Sequence, residues 1–154
     1  MPEYLHAITP EHFKAARQLF TEYATWLNVD LCFQNFDSEL GNLENIYVPP
    51  HGDLILCKHK DEYIGCVGIR LFSEDVAEMK RLFVKENARK LGIGSSLVKE
   101  AERSAKNKGY NEIKLDTLDK MITAVNLYKK NGYQETGSYY HNPLEGVVYF
   151  SKTL

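Results

Sequence analysis

The chain has few of the features that mark secreted, membrane-spanning or strongly nucleic-acid-binding proteins. Its 154 residues contain only three cysteines, an odd number without paired spacing, so we expect no disulfide framework. No apolar run is long enough to span a bilayer, and the N-terminal residues lack the basic start and apolar stretch of a secretory signal. The net charge of −2 and the pI of about 6.2 argue against a basic nucleic-acid-binding face. We therefore predict a cytoplasmic protein with neither a membrane nor a nucleic acid as its main partner.

A metal site is also not expected. Cys57 and His59, with His51 nearby, come nearest to a ligand cluster, but their spacing fits no common zinc pattern. Small cysteines in apolar segments are better explained as buried strand residues.

The length and composition fit one domain spanning residues 1–154. Hydrophobic residues make up 44% of the chain, enough for one core, and no repeat, linker or low-complexity tract interrupts it. The pattern predicts a short strand over 4–8, a helix starting at Thr9-Pro10, and a short second helix over 36–45.

Three strands joined by short turns then predict an antiparallel meander over 54–57, 63–72 and 76–84. In the third, simple alternation places Val76, Glu78, Lys80, Leu82 and Val84 on one face.

After Val84 the pattern predicts a helix ended by Gly109, a strand over 113–117, a helix over 119–131, and closing strands over 133–140 and 147–152. The strand–helix–strand unit requires its two strands to be parallel within one mixed sheet.

The most informative segment is the loop between the third meander strand and the following helix. Helix N-termini expose unpaired amides and suit phosphate groups, and glycines let a phosphate approach closely. An ordinary helix-capping loop is the alternative. A P-loop is excluded because no lysine follows Gly94, and a dinucleotide fingerprint because Leu97 replaces its third glycine. The loop residues are Arg89, Lys90, Leu91, Gly92, Ile93, Gly94 and Ser95.

Two motifs resemble those of the GNAT superfamily of N-acetyltransferases. Residues 77–84 (AEMKRLFV), followed by Arg89-x-x-Gly92-x-Gly94, are similar to its coenzyme A motif. Residues 124–133 (AVNLYKKNGY) resemble its second motif, Ala-x-x-Leu-Tyr-x-x-x-Gly-Phe/Tyr. One helix and one strand separate the two motifs, as in that superfamily.

The resemblance implies an α/β (α+β) fold with a mixed, V-splayed sheet of about seven strands and about four helices. It places acetyl-CoA between two parallel strands, with the backbone of Leu82, Phe83 and Val84 pairing with pantetheine. It also implies that the amides from Lys90 to Ser95 hold the pyrophosphate and that Tyr128 is the general acid. The family's usual cofactor-binding asparagine is replaced by Met121.

The chemistry gives separate reasons for some of these residues. An alkylammonium has a pKa of about 10.4, so a base must take its proton at neutral pH, and Glu78 is the candidate. A backbone amide of Phe83 or Val84 could hold the thioester oxygen. The alternatives are a solvated strand residue for Glu78 and core packing for Tyr128.

These observations predict direct acetyl transfer to the amine of a small-molecule or amino-acid-like acceptor, without metal. We expect the acceptor to contact residues 26–47 and 139–142. A coenzyme A-binding sensor and a toxin-like enzyme acting on aminoacyl-tRNA are the alternative functions, and a homodimer is left open.

Overall fold

A seven-stranded mixed sheet forms the centre of the structure, a computed structural model that describes residues 1–32 and 34–154. The strands are β1 (Glu3–His6), β2 (Asp53–His59), β3 (Glu62–Ser73), β4 (Val76–Val84), β5 (Glu112–Leu118), β6 (Gln134–Thr136) and β7 (Val147–Thr153). The helices are α1 (Pro10–Leu27), α2 (Phe36–Leu40), α3 (Leu43–Ile46), α4 (Ile93–Asn107) and α5 (Ile122–Lys130). Short 3-10 turns lie at Cys32–Gln34 and Glu86–Ala88.

The order of strands in the sheet is β1-β2-β3-β4-β5-β7-β6, and only β4 and β5 are parallel. These two strands pair over just three positions, Val76–Glu78 against 112–114, and then separate. The gap between them widens toward their carboxyl ends, so the predicted mixed, splayed sheet is confirmed. No helix in the described part of the chain is long and apolar enough to cross a membrane.

The signals that begin α1 and end α4 act as the sequence predicted. Thr9 caps α1 by accepting a hydrogen bond from the His12 amide (3.2 Å), and the His12 ring accepts one from the Thr9 amide (3.3 Å). Gly109 follows α4 with φ of 92°, the left-handed conformation that ends many helices.

Apolar side chains pack on both faces of the sheet. On one face, Ala77 and Met79 of β4 contact a core that includes Leu97 and Ala101 of α4. On the other face, Phe83 joins Phe20 and other side chains from α1, α3 and β2. The central strands are therefore covered on both sides, and β4 contributes to each core.

A β-bulge in β4 overturns the alternation predicted for this strand. Cys66 pairs with Phe83 but Gly68 pairs with Lys80, so β4 holds one extra residue, and Arg81 has φ of 61°. The bulge shifts the pattern by one position. Leu82 and Val84 therefore pack with Ala77 and Met79, and not on the face of Glu78 and Lys80.

The three largest other differences from the sequence prediction concern a helix in the segment 36–45, the start of α5 and the length of β6. The helix expected over 36–45 is two short helices separated at Gly41-Asn42, which gives five helices in the described chain instead of about four. Helix α5 starts at Ile122, because the Met121 amide bonds the Leu118 carbonyl (2.9 Å) in a preceding turn. Strand β6 is short, and residues 137–142 form a loop beside the sheet.

Candidate active site

A cavity opens where β4 and β5 separate. Both strands, the C-terminal part of α1, the first turns of α5 and two loops contribute to its wall. The lining residues are Tyr23, Trp26, Leu27, Leu31, Gln34, Met79, Lys80, Arg81, Leu82, Asp116, Thr117, Leu118, Met121, Ala124, Tyr128, Asn142 and Leu144. Met121 replaces the asparagine that is usual in the superfamily whose motifs this chain resembles, and it presents an apolar side chain to this cavity.

The bulged strand presents backbone amides to this cleft. The Lys85 amide donates to the Ile64 carbonyl of β3 (2.9 Å). Because alternate amides of a strand point to the same side, the Phe83 amide also points to β3, whereas those of Leu82 and Val84 point toward the cleft. Pairing with β5 has already ended at Glu78. The geometry therefore favours Val84 over Phe83 as the amide that holds a thioester oxygen.

The N-terminus of α4 is open for an anion. Gly92 is its N-cap residue, with φ of 75° and no side chain to cap the helix. The Ser96 amide bonds the Gly92 carbonyl (3.1 Å), so the amides of Ile93, Gly94 and Ser95 have no partner within the helix. These are among the amides expected to hold a pyrophosphate.

Gly94 also has a packing role that the motif did not show. A Cβ built on Gly94 would lie 3.2 Å from Cδ2 of Leu127 in α5. The Ser95 hydroxyl donates to the Asn131 side chain at the end of α5 (3.4 Å). The first turn of α4 thus lies directly against α5, which carries Tyr128.

Arg89 lies folded back on the protein. Its Nε donates to the Val84 carbonyl (3.0 Å), and its guanidinium carbon lies 4.5 Å from the centre of the Trp26 ring. This side chain fixes the chain reversal after β4 and connects it to α1. The cation expected beside the phosphates is therefore held at the end of β4, while Lys90 is exposed on the loop.

Tyr128 lies at the wall of the cavity and is buried. Its ring contacts those of Tyr133 and Phe150, with centroids 5.8 and 6.0 Å away. Burial raises the pKa of the Tyr128 phenol, so the group keeps its proton at neutral pH. The side chain packs in the core and faces the cavity at the same time, which suits a proton donor.

Glu78 is buried, and both of its oxygens are engaged. Arg70 Nε donates to one oxygen (3.0 Å) and the Tyr139 hydroxyl to the other (2.8 Å). The alternative of a solvated strand residue is wrong, because Glu78 is only 3% exposed. Glu78 does not line the cavity, and its role as a base stays a prediction.

Three polar residues of the cleft were missed by the sequence reasoning, and a fourth, Glu39, lies within the segment 26–47 that was expected to contact the acceptor. Glu39 of α2 accepts two hydrogen bonds from Arg81 (2.9 and 3.0 Å) and one from Tyr47 (3.0 Å). The others are Lys80, Arg81 and Asp116, which line the cavity. Two adjacent cations, in a strand whose other residues are apolar except for Glu78, were the signal that could have identified this cluster.

The splayed sheet, the outward-facing β4 amides and the open α4 N-terminus define an acyltransferase domain, and comparisons with known proteins agree. The model of the acetyltransferase (GNAT) family matches residues 13–133. An uncharacterized N-acetyltransferase from Schizosaccharomyces pombe is 41% identical over 144 residues, covering 91% of this chain and 87% of that protein.

Two solved structures share the fold. A GNAT-family acetyltransferase from Staphylococcus aureus has a TM-score of 0.82 at 19% identity, over 99% of both chains. PaiA N-acetyltransferase from Thermoplasma acidophilum, in complex with coenzyme A, has a TM-score of 0.76 at 17% identity, over 100% of this chain and 99% of that one. The chain belongs to the GNAT acetyltransferase family, and its acyl donor is based on coenzyme A.

Proposed function

We propose that the protein transfers an acetyl group from acetyl-CoA to the amine of a small-molecule or amino-acid-like acceptor, by direct attack within a ternary complex. The observation that carries the proposal is that Leu82 and Tyr128 line one cleft between the separating strands, while the open N-terminus of α4 lies against α5, the helix that carries Tyr128.

Each of these groups has a distinct task. The amides of Lys90 to Ser95 would bind the pyrophosphate, and the outward amides of Leu82 and Val84 would bind the pantetheine arm and the thioester oxygen. Acetyl-CoA supplies an activated carbonyl carbon. A bond forms between the amine nitrogen and that carbon while the bond to sulfur breaks, and Tyr128 gives its proton to the departing sulfur.

The proton lost by the amine needs an acceptor, and two carboxylates are candidates. Asp116 lines the cavity, and its Oδ2 accepts hydrogen bonds from Asn142 (2.8 Å) and from the Tyr140 hydroxyl, while its Oδ1 accepts none from the described residues. Glu78 has no free oxygen and could act only through Tyr139 or a water molecule. The geometry therefore favours Asp116 for direct contact with the amine.

A thiol-release assay with acetyl-CoA and a panel of amines tests this function. Tyr128→Phe keeps the ring and removes the proton, so kcat should fall about 10²-fold while coenzyme A affinity, measured by calorimetry, barely changes. Tyr133→Phe is the matched control, because it removes a neighbouring hydroxyl outside the cavity. Equal losses in both variants would mean that Tyr128 serves packing alone, and coenzyme A binding without thiol release for any amine would indicate a sensor.

A further inference from the structure

Lys80 is a buried cation without a partner. Its residue is 7% exposed and lines the cavity, and its ammonium makes no hydrogen bond or ion pair with the described residues. Burial, together with the charge of Arg81, lowers the pKa of Lys80 to about 8. A desolvated charge is costly unless an opposite charge meets it, so this position suits an anionic ligand.

The acidic side chains around Lys80 already serve other cations. Glu78 accepts from Arg70 and Tyr139, and Glu39 accepts from Arg81 and Tyr47. The charges that face this region are Arg70 on β3, Glu78 and Arg81 on β4, Glu39 on α2 and Asp116 on β5. Because each glutamate is paired with an arginine, Lys80 leaves an unpaired positive charge on the β4 wall of the cavity, and of the charges named here only Asp116 remains to offset it.

Asp116 supplies the opposite charge on the facing strand. Both of its hydrogen-bond donors use Oδ2, so Oδ1 is free of protein donors in the described chain. Lys80 and Asp116 line the same cavity, yet their charged atoms lie beyond ion-pair distance. The two opposite charges therefore face one cavity without forming an ion pair with each other.

The site of Lys80 differs from the one that suits the coenzyme's phosphates. Lys80 pairs with Gly68 on the sheet face opposite to Ala77 and Met79, which pack with α4. The phosphate-binding amides lie at the start of α4, beyond the end of β4. Lys80 therefore faces the side of the cavity from which an acceptor would approach.

From this geometry we infer that the acceptor is a zwitterion, an amine that also carries a carboxylate, with Lys80 binding the carboxylate and Asp116 receiving the amine. The inference rests on the proposed acetyltransferase function and names the acceptor class for the same site. A neutral or purely cationic amine would leave the Lys80 ammonium without a direct ion-pair partner in the ternary complex.

The test compares acceptors that differ only in the carboxylate. A panel of α- and ω-amino acids is assayed against the corresponding carboxamides, with thiol release as the readout. Wild type should prefer the acids by 10-fold or more in kcat/KM. Lys80→Met should reduce that preference at least 10-fold, mainly by raising KM for the acids, and Lys80→Arg should restore much of it.

Lys114→Met is the matched control, because Lys114 lies on the neighbouring strand but does not line the cavity. It should keep the wild-type preference. Equal rates for acids and carboxamides, or an unchanged preference in Lys80→Met, would overturn the inference while leaving acetyl transfer in place. Failure to bind coenzyme A would instead remove the proposed function itself.

A binding readout covers the case in which coenzyme A binds but no amine on the panel reacts. Thermal unfolding is then measured with saturating coenzyme A and each acid or carboxamide. A stabilisation by acids that is absent in Lys80→Met would support the inference, and no stabilisation of wild type by any acid would overturn it.

Discussion

Two adjacent cations of β4, Lys80 and Arg81, have very different surroundings. Arg81 lies in the bulge and donates two hydrogen bonds to the Glu39 carboxylate, whereas Lys80 forms no ion pair with the described residues. Burial alone would raise the pKa of Glu39, but the hydrogen bonds and charge of Arg81 bring it below its usual value. The ion pair between Arg81 and Glu39 thus offsets the cost of burying these two charges. The cost of burying the Lys80 charge is not offset by an ion pair.

This difference predicts that Lys80→Met stabilises the unliganded protein. At neutral pH the free energy of unfolding of the variant should be about 1–3 kcal/mol higher than that of wild type, because a desolvated ammonium is replaced by an apolar side chain of similar length. The folded-state pKa of Lys80 is about 8, below the unfolded value of about 10.4, so between them the unfolded chain binds more protons. The stability of wild type should therefore approach that of the variant as pH rises from 8 toward 10. Urea unfolding at several pH values measures this, and a variant less stable than wild type would contradict it.

The amine's proton gives a second prediction at this scale. Asp116→Asn should lower kcat/KM at neutral pH by roughly 10²–10³, with recovery at higher pH as free amine is supplied from solution. Glu78→Gln should cost less and keep the wild-type pH profile, since both oxygens of Glu78 are held by Arg70 and Tyr139. The pH–rate profiles of the two variants decide between them. The opposite result would make Glu78 the base, as the sequence first suggested.

The sequence could predict some of these residues and not others. Tyr128, Gly92 and Gly94 belong to short sequence motifs, in which the residue type and its position already indicate the function. Lys80 lies within the first motif and Asp116 outside both, but no motif indicates a role for either residue. Their roles depend on groups far away along the chain, such as Asn142, which lies 26 positions from Asp116. A carboxylate in a strand of alternating polar and apolar residues is interpreted as solvent-exposed until the opposite wall of the cavity is known.

Among the secondary-structure elements, strand β4 also has one feature that the sequence could predict and one that it could not. Its bounds, Val76–Val84, were predicted from the sequence, but its facing pattern was not, because one left-handed residue, Arg81, shifts everything after it. The left-handed conformation is uncommon for arginine, so no sequence signal marked the bulge. The two hydrogen bonds that Arg81 donates to Glu39 help hold this conformation.

The N-terminus of α4 gives a prediction for an element as a whole. Gly94→Asp should abolish coenzyme A binding in calorimetry, because it places a carboxylate beside amides that would hold a phosphate. Gly94→Ala is the control for packing, since its Cβ meets only the flexible end of Leu127 at 3.2 Å. The alanine variant should bind with modestly reduced affinity. Equal losses in both would mean that the contact with α5, and not charge, limits binding.

At the scale of the whole molecule, the sheet consists of two parts with a narrow connection. Strands β1 to β4 form one part and β5, β7 and β6 the other, and only three residue pairs join β4 to β5. The cavity lies between the two parts and is lined by β4 on one side and by β5 and α5 on the other. A ligand in this cleft would contact both parts of the sheet.

This architecture predicts that coenzyme A stabilises the whole domain and protects the cleft. At a concentration 100 times its Kd, a ligand that binds only the folded state adds about 2.7 kcal/mol to the free energy of unfolding, which for a chain of this size corresponds to a rise in Tm of about 5–10 °C.

Amide exchange should slow at Leu82 and Val84, whose amides have no strand partner on the cleft side, and along β5 and α5. Pantetheine, which lacks the phosphates, should protect the β4 amides while leaving the first turn of α4 unchanged. Scanning calorimetry and hydrogen exchange measure the two effects. Protection confined to α4, without any at Leu82 and Val84, would show that the coenzyme binds the helix terminus but does not enter the cleft between the strands.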